Sequence, residues 1–246
     1  MRLKILFIAI SLFLLLSCSG GKLVIQSETD AHINAYPIEN VNYKEQNINI
    51  SYPSVSGMQD TEKQKKINDL LKSMAFQELA DFSGNEKYNT EGISISLDNN
   101  ISYQSDNYLS VNFTGDVILK EAAYPRSIFT TMNIDLNSGN RVRLSDVISI
   151  DNNFVNMVRK TLNSYIDKNS VWAIVYNDFL EHDDNYLLDL FREADSEFDD
   201  DCYSYFTNDG LGLSFATSHT AGDHFEIELK YEDIKEHITK NFFRDK

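Results

Sequence analysis

The stretch from Ser127 to Ile148, SIFTTMNIDLNSGNRVRLSDVI, constrains the fold more than any other part of the chain. Ile128, Thr130, Met132, Ile134 and Leu136 alternate at period 2, which places them on one face of an extended strand. Val142 and Leu144 resume the alternation after Asn137-Ser138-Gly139-Asn140, a turn in which Gly139 is the natural residue for φ > 0. Ser145-Asp146 then reads as an N-cap ahead of Val147-Ile148. A long strand, a tight turn, a return strand and a helix start are packed into 22 residues. Other strands can pair on both sides of this hairpin, so it forms a spine for the fold. It carries no catalytic group.

Around this spine the pattern alternates between long runs of strand and long runs of helix. Ile48, Ile50 and Tyr52 predict a strand ending at Pro53. Gln59 to Phe82 predicts a helix capped by Asp60, with Ile67, Leu70, Leu71, Met74 and Phe82 on its apolar stripe and Ser83-Gly84-Asn85 as its stop. Ile93-Ile95-Leu97, Ile101-Tyr103, Leu109-Val111-Phe113 and Val117-Leu119 predict an antiparallel meander with one polar face, broken at Asp98-Asn99-Asn100 and Ser105-Asp106-Asn107. Helices follow over Asp151 to Asn169, with Tyr165 and Ile166 in the stripe, over Trp172 to Leu180, and along the Leu187, Leu190, Phe191, Ala194 stripe. Strands return at Tyr203-Tyr205, Leu211-Phe215 and Phe225-Leu229, and a helix from Tyr231 to about Thr239 closes the chain. Without a βαβ repeat, this is an α+β fold: antiparallel sheets with helices packed on one face, in two similar-sized subdomains. The expected boundaries are 46–126 and 127–246.

The N-terminus points to export. Arg2 and Lys4 precede Ile5 to Leu16, an apolar run with Ser11 as its only polar residue. The run is too short to span a bilayer, which takes ~20 apolar residues, but it has the charged start and apolar middle of a secretory signal. Leu15-Leu16-Ser17-Cys18 resembles the lipobox of bacterial lipoproteins, in which the cysteine is acylated and becomes the mature N-terminus. The expectation is a signal peptide over 1–17, a lipid anchor on Cys18, a flexible tether over 18–45 and an extracytoplasmic location. Such a tether reaches roughly 30 Å from the membrane on a random-coil estimate.

Charge and cysteine content narrow the function. The chain carries 22 Lys and Arg against 38 Asp and Glu, a formal charge of −16, and loss of Arg2 and Lys4 with the signal takes it to −18. That opposes nucleic-acid binding, which needs clustered cations, and suits solubility or a cationic partner. With Cys18 acylated, Cys202 has no intrachain partner, and its acidic neighbours make it a strand residue rather than a nucleophile.

The order of several short motifs resembles a family. These are Tyr52-Pro53, Ile67-Asn68, Ile134-Asp135-Leu136-Asn137-Ser138-Gly139, Leu144-Ser145-Asp146-Val147 and Phe206-Thr207-Asn208-Asp209-Gly210-Leu211. Ala221-Gly222-Asp223-His224-Phe225-Glu226-Ile227 and Tyr231-Glu232-Asp233-Ile234 follow. From about Asn47 to Ile238 the chain resembles the extracellular domain pair of RsiV-type anti-sigma factors, whose first member also precedes the catalytic domain of PdaC-type peptidoglycan deacetylases. The family's Gly-Gly-Ala-His-Pro loop is here Glu121-Ala122-Ala123-Tyr124-Pro125. The deacetylase domain and a sigma-binding segment are missing from the pattern. The resemblance implies a binding or sensing module, and in RsiV-type proteins this part binds lysozyme, a basic hydrolase.

The sharpest candidate site is Asp178 to Asp201, where eleven acids stand against one base, Arg192. Asp183, Asp184, Asp199, Asp200 and Asp201 with the interleaved Tyr186 and Phe198 would form a partner-binding face, aromatics serving as anchors and acids as steering charges. The same run also reads as a solvated helix face with an acidic loop, or as a Ca²⁺ site built on Asp199-Asp200-Asp201, although no EF-hand spacing exists. Asp135-x-Asn137-x-Gly139 lacks the glycine and glutamate positions of a calcium loop, and the hairpin reading takes precedence. His219 and His224 are five apart and would point to opposite faces of a strand, and no HExxH or Gly-x-Ser-x-Gly occurs. The reading carried forward has no catalytic residues, no metal and no cofactor. It is a membrane-anchored binding or sensing lipoprotein for a cationic, lysozyme-like protein. The alternatives are a peptidoglycan-binding module of the cell wall and an enzyme of unknown type.

Overall fold

The computed structural model describes residues 36–83, 90–165, 172–196 and 201–239, apart from the side chains of Trp172, Ile174 and Asp178. Cys18 and the signal segment lie outside the described residues, as do Gly84, Asn85 and Ile166. The fold is α+β. Six strands form one sheet in sequence order: β1 Ile38–Glu45, β2 Ile48–Val55, β3 Ile93–Gln104, β4 Tyr108–Leu119, β5 Arg126–Asp135 and β6 Asn140–Arg141. Neighbours are antiparallel except β2 and β3, which are parallel. A parallel pair needs a crossover, and helices α1 Thr61–Ala75 and α2 Gln77–Ser83 provide it.

α1 is held at both ends of its path across the sheet. The Asp60 carboxylate accepts the Lys63 N–H at 3.0 Å, the predicted cap. Ile67, Leu71, Met74 and Ala75 then pack on the Leu109, Val111, Phe113, Met132 and Ile134 side of the sheet. Asn68 treats the end of β2 as a strand partner: its amide donates to Val55 O at 2.9 Å and accepts from Val55 N at 2.8 Å. The helix ends at Phe76, earlier than predicted, so Phe82 sits on a separate helix and is exposed rather than part of the buried stripe.

A second sheet contains β7 Cys202–Phe206, β8 Gly210–Ala216 and β9 His224–Lys230, all antiparallel. Its Phe206, Leu211, Leu213, Phe215, Phe225, Ile227 and Leu229 build a second core. Helices α3 Leu144–Val147, α4 Asn152–Tyr165, α5 Trp172–Glu181, α6 Asp184–Glu193 and α7 Tyr231–Ile234 complete the chain. The inner stripes of α4 and α6, Phe154, Val155, Val158, Leu162, Leu187, Leu190 and Phe191, cover that core.

The two sheets meet through polar groups. β7 is an edge strand, and its open backbone rests on the face of the first sheet opposite α1. Thr131 Oγ1 donates to Ser204 O at 2.6 Å, Asn133 Nδ2 donates to the same oxygen at 2.9 Å, and Phe206 N donates to Ser110 Oγ at 3.0 Å. Asp195 supplies the next contact. Its carboxylate accepts Ser204 N at 2.8 Å, Ser204 Oγ at 2.6 Å and Leu144 N at 2.9 Å, and its own N–H donates to Cys202 O at 3.1 Å. One buried side chain thereby closes the β7 edge and caps the start of α3. The predicted cap at Ser145-Asp146 is displaced: α3 starts after Arg143, and Asp146 accepts the Arg143 N–H at 2.8 Å.

Several expectations are corrected. Residues 38–45, expected in the tether, form β1, paired in full with β2. The turn-like Asp98-Asn99-Asn100 does not break β3, and β4 runs through Gly115, so four predicted short strands are two long ones. Asn99 gains a partner in Ser51 Oγ at 2.9 Å. Gly115 permits the close β3–β4 approach, since a Cβ there would lie 2.0 Å from Ser96 O. β2 continues through Pro53 to Val55, α7 stops at Ile234, and Tyr165 is exposed. The first sheet runs past residue 126, because β5 pairs along its length with β4.

Two stability predictions follow from these contacts. Gly139 sits at φ 68°, and an added Cβ would lie 2.9 Å from Lys63 Cγ on α1. Gly139→Val is expected to cost more than about 1 kcal/mol, from backbone strain plus displacement of the turn from α1, and a melting temperature equal to wild type would refute it. Asp195→Ala leaves three buried donors without their acceptor, an expected loss above about 2 kcal/mol in urea denaturation. Burial pushes the Asp195 carboxyl upward from 3.8, outweighing its hydrogen bonds to Ser204 and the charge of Arg141. A raised folded-state value means that its contribution is present below the unfolded value and is lost as pH rises through the folded one. Asp195→Asn, which stays uncharged, should therefore gain stability relative to wild type as pH rises above the ordinary carboxylate value; the opposite trend would show an anion held by its donors.

Candidate functional site

Of the predicted partner-binding residues, Asp184 and Tyr186 lie on α6, Asp183 precedes it and Asp201 precedes β7. The Asp183 carboxylate accepts the Tyr186 N–H at 2.9 Å, so it is the N-cap of α6. That cap fixes the first turn with Leu187 inward and Tyr186 outward, where the phenol ring is half exposed. His182, at the end of α5, stacks on Tyr186 with ring centroids 4.1 Å apart and planes 23° from parallel. Beneath this pair a groove of about 520 Å³ runs toward the end of the second sheet. Phe179, Phe215 and Phe225 form its aromatic floor, with centroids 4.6 Å apart for Phe179–Phe215 and 5.0 Å for Phe215–Phe225. Asp201, Thr217, Ser218 and Thr220 stand on its polar side.

Several acids of the run are engaged locally among the described residues. Asp184 is paired with Arg159 at 2.8 Å, and Arg159 also donates to the carbonyls of Leu180 and His182. Those bonds tie α4 to the α5–α6 turn. Asp189 lies 3.5 Å from Arg192, and Glu193 lies 3.5 Å from Arg143. Asp195 is buried in the contact between the sheets. Phe198, Asp199, Asp200, Glu197 and the Asp178 side chain lie outside the described residues. Of the predicted set, the groove brings together Tyr186 and Asp201, with Asp183 positioning Tyr186 from behind.

Sequence reasoning missed His182, Phe179, Phe215 and Phe225 as groove residues. His182 precedes Tyr186 by four, a spacing that often brings side chains together. The phenylalanines carried only the ordinary signal of core strands and helices. Arg143 and Arg159, which neutralise acids of α6, come from 50 and 25 residues away in sequence, and nothing local announces them.

Chemically, the groove offers stacked aromatic faces, one carboxylate at the rim and a short line of hydroxyls. Ser218 Oγ and Thr220 Oγ1 bond each other at 3.1 Å. Such a lining suits a flat or cationic group held by stacking and a rim charge. His219, expected on a strand, lies instead in a 3₁₀ turn and is hydrogen-bonded to Asp223 at 2.9 Å, while His224 opens β9. Among the described residues no group of three or more His, Cys, Asp and Glu side chains could hold a metal ion.

No protein-family model matches the sequence, and no curated protein matches it. Two solved structures are similar over most of their length. One is a DUF3298 family protein from Pseudomonas aeruginosa PAO1, with a TM-score of 0.52 and 13% identity, covering 86% of this chain and 98% of that one. The other is a member of the DUF3298 family from Bacteroides fragilis NCTC 9343, with a TM-score of 0.49 and 14% identity, covering 84% of this chain and 94% of that one. At 13% identity, the likeness to the Pseudomonas protein shows a shared fold.

Proposed function

We propose that this chain is an extracytoplasmic lipoprotein that binds rather than catalyses. It is anchored through Cys18 and receives basic side chains of a lysozyme-like protein in the groove beside α6. The observation that carries this reading is the convergence of the His182–Tyr186 stack and Asp201 on one aromatic groove, in a chain of formal charge −16. An Arg or Lys head group placed over an aromatic ring gains ~0.5–1 kcal/mol at an exposed site, and a carboxylate at the rim adds to it. The excess negative charge supplies steering over ~8 Å at physiological salt. The motif order, which resembles that of RsiV-type extracellular domains, supports a binding module.

The same groove favours a second reading. An aromatic floor with a rim of hydroxyls and one carboxylate also fits a sugar ring, and peptidoglycan would then be the ligand. The two readings separate by salt dependence and by material. Surface-plasmon measurements against lysozyme at low and physiological salt should show binding that weakens with salt. Tyr186→Ala should raise the dissociation rate several-fold. Asp201→Lys should slow association more than Glu39→Lys, an equal charge reversal on exposed β1. Equal effects of the two reversals would reduce the interaction to net charge. Retention of wild type on purified peptidoglycan, lost in Tyr186→Ala, would support the glycan reading instead. No binding to either material would overturn both.

The anchor has its own test. Cys18→Ala removes the acylation site, and the apolar segment before it is too short to hold a bilayer. The variant should move to the soluble fraction. Processing and membrane association both unchanged under signal-peptidase II inhibition would contradict the lipobox.

A further inference from the structure

A second cavity lies away from α6, between α2, the ends of β3 and β4, and the loop that leads into β5. It measures about 460 Å³. Ile93, Val117 and Ala122 are among its walls, and Phe82, Leu119 and Tyr124 stand at its mouth, 41%, 42% and 72% exposed. Large apolar side chains left this open around one cavity mark a ligand site more often than a random surface does.

Besides the Tyr124 phenol, four titratable groups line the cavity: Glu78, Asp81, Arg126 and His219. Arg126 and Glu78 form an ion pair with each other and cancel. His219 is oriented by Asp223, whose other oxygen accepts the Ser127 N–H at 2.7 Å, so the imidazole is held in place by a fixed carboxylate. Asp81 is exposed on α2 and has no charged partner among the described residues. With His219 neutral the four groups sum to −1, because Asp81 remains after Arg126 and Glu78 cancel; a charge on His219 would be met by Asp223, behind the lining. A cation entering from solvent would meet Asp81 and the faces of Phe82 and Tyr124 together.

We propose that this cavity binds a cationic amphiphile: an apolar chain seated against Leu119 and Val117, with an ammonium or guanidinium group at Asp81. The apolar body provides most of the affinity, and the head group provides the selectivity. An anionic amphiphile is disfavoured, since the one guanidinium at the site is already committed to Glu78. The site is separate from the α6 groove, so it stands or falls independently of lysozyme or glycan binding.

Calorimetric titration with octylammonium, octanol and octanoate, each below its micelle concentration, tests the assignment. Octylammonium should bind about fivefold more tightly than octanol, and octanoate more weakly than either. Asp81→Asn should bring octylammonium close to octanol and leave octanol unchanged. Phe82→Ser and Leu119→Asn, both at half-exposed positions where the fold tolerates change, should weaken octylammonium and octanol alike. Octanoate binding as tightly as octylammonium would overturn the proposal, as would no binding by any of the three. Octylammonium affinity unaffected by the two cavity variants would overturn it equally.

Discussion

The structure depends on a strand edge that is satisfied by side chains. β7 has a full set of backbone groups pointing away from β8, and an unpaired edge at that depth would cost several hydrogen bonds. The first sheet supplies partners through Ser110, Thr131 and Asn133, and the chain supplies Asp195 from the end of α6. The two apolar cores on either side are therefore joined by a polar layer. That layer fixes the relative register of the sheets far more narrowly than apolar packing would. A shift of one residue along β7 would turn the backbone groups of Ser204 and Phe206 toward β8 and away from these fixed partners.

This arrangement explains the alternation in β4 and β5. Leu109, Val111 and Phe113 face α1, while Ser110 and Asn112 face the second sheet, and β5 does the same with Met132 and Ile134 against Thr131 and Asn133. In sequence the pattern has the period of a half-exposed strand, and the polar face is expected to meet water. In the fold that face is buried: Ser110, Thr131 and Asn133 are at most 2% exposed. The residues obey the rule that buried polar groups are hydrogen-bonded, since each is bonded to the chain across the interface.

How much was legible follows from the range of each interaction. The stripe of α6, the Asp60 cap and the turn at Gly139 are local, and each could be read from spacing and residue type. β1 was hidden because Glu39, Asn40, Asn42 and Lys44 give an edge strand, exposed on both faces, the composition of a linker. The unbroken β3 was hidden because Asn99 is a turn residue by propensity, overridden here by pairing with β4 and by Ser51. Tyr186 could be selected as a site residue from its place in the acidic run. The aromatic floor under it could not, because its parts come from α5, β8 and β9 and meet only in the fold.

Long-range attraction and short-range recognition separate in this molecule. The acids of α6 look uniform in sequence, yet Asp183 caps a helix, Asp184 and Glu193 face arginines from distant segments, and Asp195 is internal. Local pairing lowers the field close to the helix without changing the net charge of the chain, so the steering potential belongs to the whole surface. On the proposed reading, specificity comes from places where shape, stacking and a carboxylate coincide. Asp201 beside the His182–Tyr186 stack is one such place, and Asp81 beside Phe82 and Tyr124 is another. In both, the charge stands at the rim of an apolar hollow, where water can leave the hollow while the carboxylate stays hydrated. A cationic group with an attached apolar body gains at such a rim from both terms, whereas a bare cation gains only the weaker one.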